Sequence, residues 1–91
     1  MKLEFDPDKN RSNIEKRGLS FHLAKRFDFD TAIIKEDRRH EYEEVRYQAL
    51  GMIGQRLHFL AFTLRGDSLR VISLRKANCR EVHFYEQETQ P

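Results

Sequence analysis

Residues 69–81, LRVISLRKANCRE, decide how this chain folds. The stretch opens with a nearly continuous aliphatic run made of Leu69, Val71, Ile72 and Leu74. Such a run is typical of a strand that is covered on most of both faces. Asn78 and Glu81 follow with the three-residue spacing of a capping box, which begins a helix. The stretch therefore predicts a central strand that passes into a helix within a few residues.

The start of that helix is also a predicted anion site. A helix N-terminus presents unpaired backbone N–H groups and a partial positive charge. Arg75, Lys76 and Arg80 lie beside it in the sequence. Phosphate suits this combination, and the alternative is that these are ordinary solvated side chains at the end of a strand.

The positive charge of the chain is concentrated in one segment. The formal net charge is only +2, but residues 56–80 hold six Lys and Arg against Asp67 alone. Residues 81–91 hold three Glu and no Lys or Arg. A basic segment on an otherwise balanced chain indicates a local site for a polyanion.

Length and composition predict one domain, residues 1–91, with a single modest core. The chain has no apolar window long enough to span a membrane, and its first ten residues lack the apolar run of a signal peptide. We therefore expect a soluble cytoplasmic protein with no membrane partner. The lone Cys79 and four scattered His show no metal-ligand spacing, so we expect no cofactor and no metal.

The N-terminal part predicts a short strand and a helix. Leu3 and Phe5 alternate with charged residues, which is a strand pattern. Asp6-Pro7 is a strong helix start, and Gly18 suits the left-handed residue that ends a helix. Ile14 is the one clear apolar anchor of this helix.

The rest of the chain predicts a second short helix and an antiparallel meander. Ser20 caps the helix, and strands are expected at residues 31–34, 44–49, 57–64 and 69–74. Gly51 and Gly54 bracket one hairpin turn, and Gly66-Asp67 forms another. The predicted fold class is α+β, with two short N-terminal helices, a small antiparallel β-meander sheet and a C-terminal helix.

Strand periodicity limits which cations can act together, because side chains two residues apart share a face. In this pattern Arg75 shares a face with Leu69 and Val71, while Arg70 and Lys76 lie on the opposite face. Arg65 and Arg75 are expected at opposite ends of adjacent strands unless a bulge intervenes.

Arg46 and Glu44 share a face of the neighbouring predicted strand. They could meet either Arg75 or Arg70, depending on the register of the strands.

Four segments, in this order, closely resemble the BrnT family of bacterial toxins over nearly the whole chain. They are FDPDKNRSNIEKRGLSFHLA (5–24), EDRRHEYEEVRYQALG (36–51), TLRGDSLRVISLRKA (63–77) and CREVHFYE (79–86). The block from Ile72 to Ala77, with Glu81 and Tyr85 after it, is the most specific part. Arg17 departs from the family pattern, because many relatives have His before the glycine. In the second segment, Glu44 and Arg46 are the two residues whose roles the resemblance transfers to this chain.

The resemblance implies a RelE-like fold and a ribonuclease that inhibits translation until a BrnA-type antitoxin binds it. It further implies a heterotetramer of two toxins and two antitoxins. That assembly would contact DNA, at its own promoter, only through the antitoxin.

A metal-independent ribonuclease of this kind uses the neighbouring 2′-OH and needs charge stabilisation at a crowded phosphorane. Arginine can supply that charge. We predict that Arg46 and Arg75 bind the phosphate, with Glu44 as general base or as the partner that orients Arg46. Arg65 joins this catalytic group. The predicted RNA-binding residues are Lys76, Arg80, Arg70 and Lys25.

Two other functions fit the same residues: a domain that binds RNA or the ribosome without cutting, and a protein-interaction module with a basic surface. The ribonuclease hypothesis requires Arg46, Arg75, Lys76 and Arg80 to converge on one pocket.

Overall fold

A computed structural model describes residues 1–39, 41 and 43–90 of the chain. In chain order its elements are β1 (Lys2–Glu4), α1 (Pro7–Arg17), a 3₁₀ helix (Phe21–Arg26), β2 (Ile33–Glu36), β3 (Arg46–Ile53), β4 (Arg56–Arg65), β5 (Ser68–Lys76) and α2 (Cys79–Thr89). The expected charged loop between β2 and β3 includes His40 and Tyr42, which lie outside the described residues.

The strands form one sheet in the order β1-β5-β4-β3-β2. Strands β2 to β5 pair as an antiparallel meander, which confirms that part of the prediction. The sequence analysis did not predict that β1 pairs parallel with the first residues of β5. Strand β5 is therefore internal to the sheet over this length, and the α+β class with a C-terminal helix is confirmed.

The first helix begins and ends where the sequence predicts. The Asp6 side chain accepts a hydrogen bond from the backbone N–H of Asp8, and Gly18 ends the helix in the left-handed conformation, with φ of 69°. The predicted anchor is wrong, because Ile14 is 44% exposed. Asn13 is buried instead, and its Nδ2 donates to the backbone oxygens of Leu19 (2.9 Å) and Leu74 (3.0 Å). Asn13 thus connects α1 to Leu74 of β5, in the part of β5 that β1 does not pair with.

The second predicted helix is a 3₁₀ helix of six residues rather than an α-helix. Ser20 caps it as expected, since its side chain accepts from the N–H of His22. Phe21, Ala24 and Phe27 are all buried, and they lie three residues apart. A 3₁₀ helix has three residues per turn, so this spacing aligns the three side chains on one side, against the sheet.

The core lies between the 3₁₀ helix and one face of the sheet, which we call the core face. Its centre is formed by Leu60 and Leu74, both 0% exposed, with Phe62 and Val71 beside them. Helix α2 lies on the opposite face, which we call the open face, where its first turn contacts Arg75.

A β-bulge in β5 changes which side chains share a face. Ala61 pairs with Ser73, but Phe62 pairs with Val71, so Ile72 is an extra residue. The predicted periodicity of β5 is therefore wrong across this point. Leu69 and Val71 lie on the core face with Leu74, whereas Arg75 lies on the open face with Ser73 and Arg70.

Gly51 does not bracket a turn, as the sequence analysis expected. It is a buried residue within β3, and the turn consists of Gly54 and Gln55. A Cβ atom at position 51 would lie 2.4 Å from the ring of Phe27. The glycine is needed here because an aromatic ring packs directly on the strand.

Candidate active site

The open face of the sheet carries a polar cleft of about 470 Å³, which we call the arginine cleft. Its floor is made by small side chains, because Ala61 of β4 lies opposite Ser73 of β5. Its remaining lining residues are Asp37, Arg39, Arg46, Tyr47, Gln48, Phe59, Ile72, Arg75 and Glu81. A floor of small residues between long cationic side chains leaves room for a ligand.

Arg75 is held in the cleft by two side chains, those of Glu81 and Phe59. Its guanidinium donates to both carboxylate oxygens of Glu81, at 2.7 and 3.0 Å. The same guanidinium lies over the ring of Phe59, 4.2 Å from the ring centroid. This arrangement follows from the bulge, which places Arg75 opposite Phe59 on the open face, and from α2, which begins directly after the strand.

Glu81 has two structural roles at once. It completes the predicted capping box, since its Oε1 accepts from the N–H of Asn78 while its own N–H donates to Asn78, both at 2.9 Å. The hydrogen bond from Arg75 lowers the pKa of the Glu81 carboxyl below its ordinary value of 4.5, and the N–H of Asn78 acts in the same direction. The carboxylate is thus ionised at neutral pH and orients Arg75.

This lowered pKa predicts an acid-sensitive contribution to stability. A carboxyl whose pKa is depressed by folding stabilises the protein above the unfolded value of 4.5, and this stabilisation is lost as the pH falls through the folded value. We expect the Glu81→Gln variant to lose less stability than the wild type between neutral pH and roughly pH 3. Thermal unfolding across this range measures the difference. Glu86→Gln, at an exposed position on α2, is the matched control, and a Glu81→Gln curve parallel to the wild type would contradict the assignment.

Arg46 enters the cleft from β3. It pairs with Thr63 of β4, and Gln48 lies two residues further along the same face, as the alternation predicted. Thr63 is buried and donates through its hydroxyl to the backbone oxygen of Val45 at 2.6 Å, which holds the start of the strand. Arg46 and Arg75 therefore line one cleft from two strands that are separated by β4.

Asp37 and Arg39 are lining residues that the sequence analysis missed. The Asp37 side chain is only 7% exposed and accepts two hydrogen bonds from the guanidinium of Arg39, both at 3.0 Å, and a third from its backbone N–H at 3.2 Å. The backbone N–H of Asp37 also donates to the oxygen of Arg46 at 2.8 Å. In the sequence these residues belong to a charged loop, and no local pattern shows that the loop reaches the sheet.

Glu44 and Arg65 do not line the arginine cleft and lie just beyond Arg46, at the end of β4. Arg65 donates to both carboxylate oxygens of Glu44, at 3.0 and 2.9 Å. This hydrogen bond is the main cause that lowers the pKa of Glu44 and raises that of Arg65. Glu44 thus accepts its hydrogen bonds from Arg65, whereas the sequence had suggested Arg46 as the arginine that it orients. Arg65 and Arg75 lie at opposite ends of adjacent strands, as expected.

The remaining predicted cations do not line the cleft. Arg70 lies near Glu4 (3.6 Å) towards the Arg65 end of the sheet, and Lys76 is exposed opposite His58. Arg80 does not line the arginine cleft but a neighbouring pocket between α2 and the open face, which shares Gln48, Phe59 and Glu81 with the cleft. Lys25 borders an apolar groove of about 620 Å³ on the core face. Of the four cations expected to converge, the structure places Arg46 and Arg75 in the arginine cleft and Lys76 and Arg80 outside it.

The described residues contain neither a cluster of metal-ligating side chains nor a helix that could span a membrane. Within residues 1–39, 41 and 43–90, no group of three or more His, Cys, Asp or Glu side chains could hold a metal ion. No helix in this part of the chain has the length and apolar character needed to cross a membrane.

The fold and the cleft define a small α+β protein with an arginine-lined cleft on one face of its sheet. A family model described as "Ribonuclease toxin, BrnT, of type II toxin-antitoxin system" matches residues 5–81. The chain belongs to this BrnT family, as the sequence resemblance indicated. Membership implies a protein antitoxin as partner. No curated protein matches the chain significantly.

Proposed function

We propose that this chain is a metal-independent, RelE-like endoribonuclease that inhibits translation by cutting RNA in the arginine cleft. The observation that carries the proposal is the presence of Arg46 and Arg75 in one cleft of a protein from a ribonuclease toxin family. Two guanidinium groups supply fixed positive charge where a phosphorane develops negative charge.

In the proposed reaction the 2′-OH of one nucleotide attacks the adjacent phosphorus, and the bond from phosphorus to the 5′ oxygen breaks. The 2′-OH loses its proton, and the departing 5′ oxygen gains one. The products are a 2′,3′-cyclic phosphate and a 5′-OH. Arg75 acts from a position already set by Glu81 and Phe59, so little reorganisation accompanies the reaction. The proposal gives Glu44 and Arg65 no chemical role, because they pair with each other outside the cleft.

The proposed partner is a BrnA-type antitoxin in the cytoplasm, in a heterotetramer of two toxins and two antitoxins. This assembly would contact promoter DNA only through the antitoxin. The resemblance of residues 5–24, 36–51, 63–77 and 79–86 to BrnT proteins supports these details. A toxin of a type II system also has a protein as its antitoxin.

The experiment incubates purified protein with RNA, with and without ribosomes, and with and without EDTA. We expect cleavage that EDTA leaves unchanged, with 2′,3′-cyclic phosphate ends. Intact RNA in all four conditions would refute the enzyme. In that case, retained RNA affinity would favour a binding domain, and absence of affinity would favour a protein-interaction module. Cleavage of free RNA that EDTA abolishes would refute metal independence.

A further inference from the structure

A second cleft, of about 230 Å³, lies between α1 and the bulge of β5. It is lined by Ile72 and Ser73, which also line the arginine cleft. The two clefts therefore meet at the bulge and form one continuous surface. The charged residues of this second cleft are Lys9, Lys16 and Arg17, so all of its charge is positive.

Two of the three cations, Lys9 and Lys16, lie along one side of α1 with Ser12 between them. Lys9, Ser12 and Lys16 recur at helical spacing, and each lines the cleft. From Lys9 to Lys16 the helix rises roughly 10 Å. Both lysines are exposed, and neither makes an ion pair with any residue that the structure describes. Their charge is thus directed to solvent rather than neutralised by the protein.

Arg17 lies at the junction of the two clefts. Its Nη1 donates to the hydroxyl of Ser73 at 3.2 Å, and Ser73 is part of the floor of the arginine cleft. Weaker contacts reach the side-chain oxygen of Asn13 at 3.4 Å and the backbone oxygen of Leu74 at 3.5 Å. A fixed cation thus stands between Arg75 and the lysines of α1.

We propose that this α1 face, made of Lys9, Lys16 and Arg17, binds the phosphates of the RNA strand on one side of the scissile phosphate. The inference rests on the proposed function and extends it, because it gives the path of the substrate away from the cleft. Lysine binds phosphate as a mobile point charge, which suits backbone contacts that do not depend on base identity. The α1 face selects for RNA length, while the arginine cleft performs the chemistry.

The test compares the double variant Lys9→Gln/Lys16→Gln with the wild type on a dinucleotide and on an RNA of about ten nucleotides. We expect KM for the longer RNA to rise roughly tenfold and the dinucleotide to be cut as before. Each neutralised contact removes about 0.7 from the slope of log affinity against log salt on a single strand, so the slope should fall by about 1.4. The matched control is Lys2→Gln/Arg26→Gln, which removes two exposed charges that line neither cleft.

Equal losses on both substrates, or the same loss in the control, would overturn the inference, and so would unchanged binding of the longer RNA. If the variant bound RNA normally but bound the antitoxin more weakly, the α1 face would be a binding site for an acidic surface of the antitoxin and not for RNA. A wild type that cuts neither RNA would refute the proposed function, and the salt slope of binding would still decide the role of α1.

Discussion

The Arg75→Ala variant is expected to cut RNA about 10²–10³-fold more slowly than the wild type, measured as kcat/KM. Arg75 is the cation whose position in the arginine cleft is most strongly determined, by two hydrogen bonds to Glu81 and by the ring of Phe59. Its loss removes positive charge that stabilises the proposed transition state more than it stabilises the bound substrate, so the rate falls. Arg75→Lys keeps the charge but cannot make the same two-point contact with Glu81, so we expect it to recover only part of the rate.

Two controls separate this effect from damage to the fold. The capping box between Asn78 and Glu81 does not involve Arg75, so α2 should still begin at Cys79, and the circular dichroism of Arg75→Ala should match that of the wild type. Arg26→Ala removes the same side chain from an exposed position on the 3₁₀ helix and should leave the rate unchanged. A folded Arg75→Ala protein with wild-type kcat/KM would remove Arg75 from the mechanism.

The second large effect concerns stability. Gly51→Ala is expected to lower the free energy of unfolding by about 1–3 kcal/mol, because the new methyl group would overpack the core. The added Cβ would lie 2.4 and 2.6 Å from two ring atoms of Phe27, and 3.1 Å from the Cβ of Ala32. For a chain of this size the melting temperature should fall by about 4–8 °C per kcal/mol. Thermal or urea unfolding measures the change.

A double-mutant cycle identifies the collision partner. Phe27→Leu shortens the side chain that occupies the space over Gly51, so adding this change to Gly51→Ala should cost less than the sum of the two single changes. Additive costs would show that the methyl group is accommodated elsewhere and that Phe27 is not the reason for glycine at this position.

Local features of the fold were predictable from short sequence patterns. Asp6 and Gly18 bound α1, and Asn78 with Glu81 begins α2, as the patterns indicated. Gly66 and Asp67 form the loop between β4 and β5, with Gly66 at positive φ. Each of these features depends on contacts between residues a few positions apart, so the residues that determine it are adjacent in the sequence.

Other features depended on residues that are distant in the chain. Ile14 looked like the anchor of α1, but Asn13 is buried because Leu74, 61 positions later, presents a carbonyl oxygen to it. The parallel pairing of β1 with β5 likewise joins the first residues of the chain to residues 68–70. Gly51 looked like a turn residue, because the pattern of β3 does not show that Phe27 packs on it.

The candidate site shows the same division. Arg46 and Arg75 were candidates because of their residue type, their positions in predicted strands and the family resemblance. Which cations share a cleft depended on the bulge at Ile72, which moves Arg75 to the open face, and on the register that places Ser73 opposite Ala61. Lys76 is the next residue after Arg75, and it lies on the opposite face because successive residues of a strand alternate between faces.

By itself, the sequence determined the class of this protein, the order of most of its elements, the caps of both α-helices and the candidate arginines for a phosphate site. Only the tertiary structure decided that Arg46 and Arg75 line one cleft, that Glu44 pairs with Arg65 and that α1 extends the basic surface. The physical reason is that caps and turns are set by neighbouring residues, whereas a cleft is set by strand register, and register is a free-energy balance over the whole core.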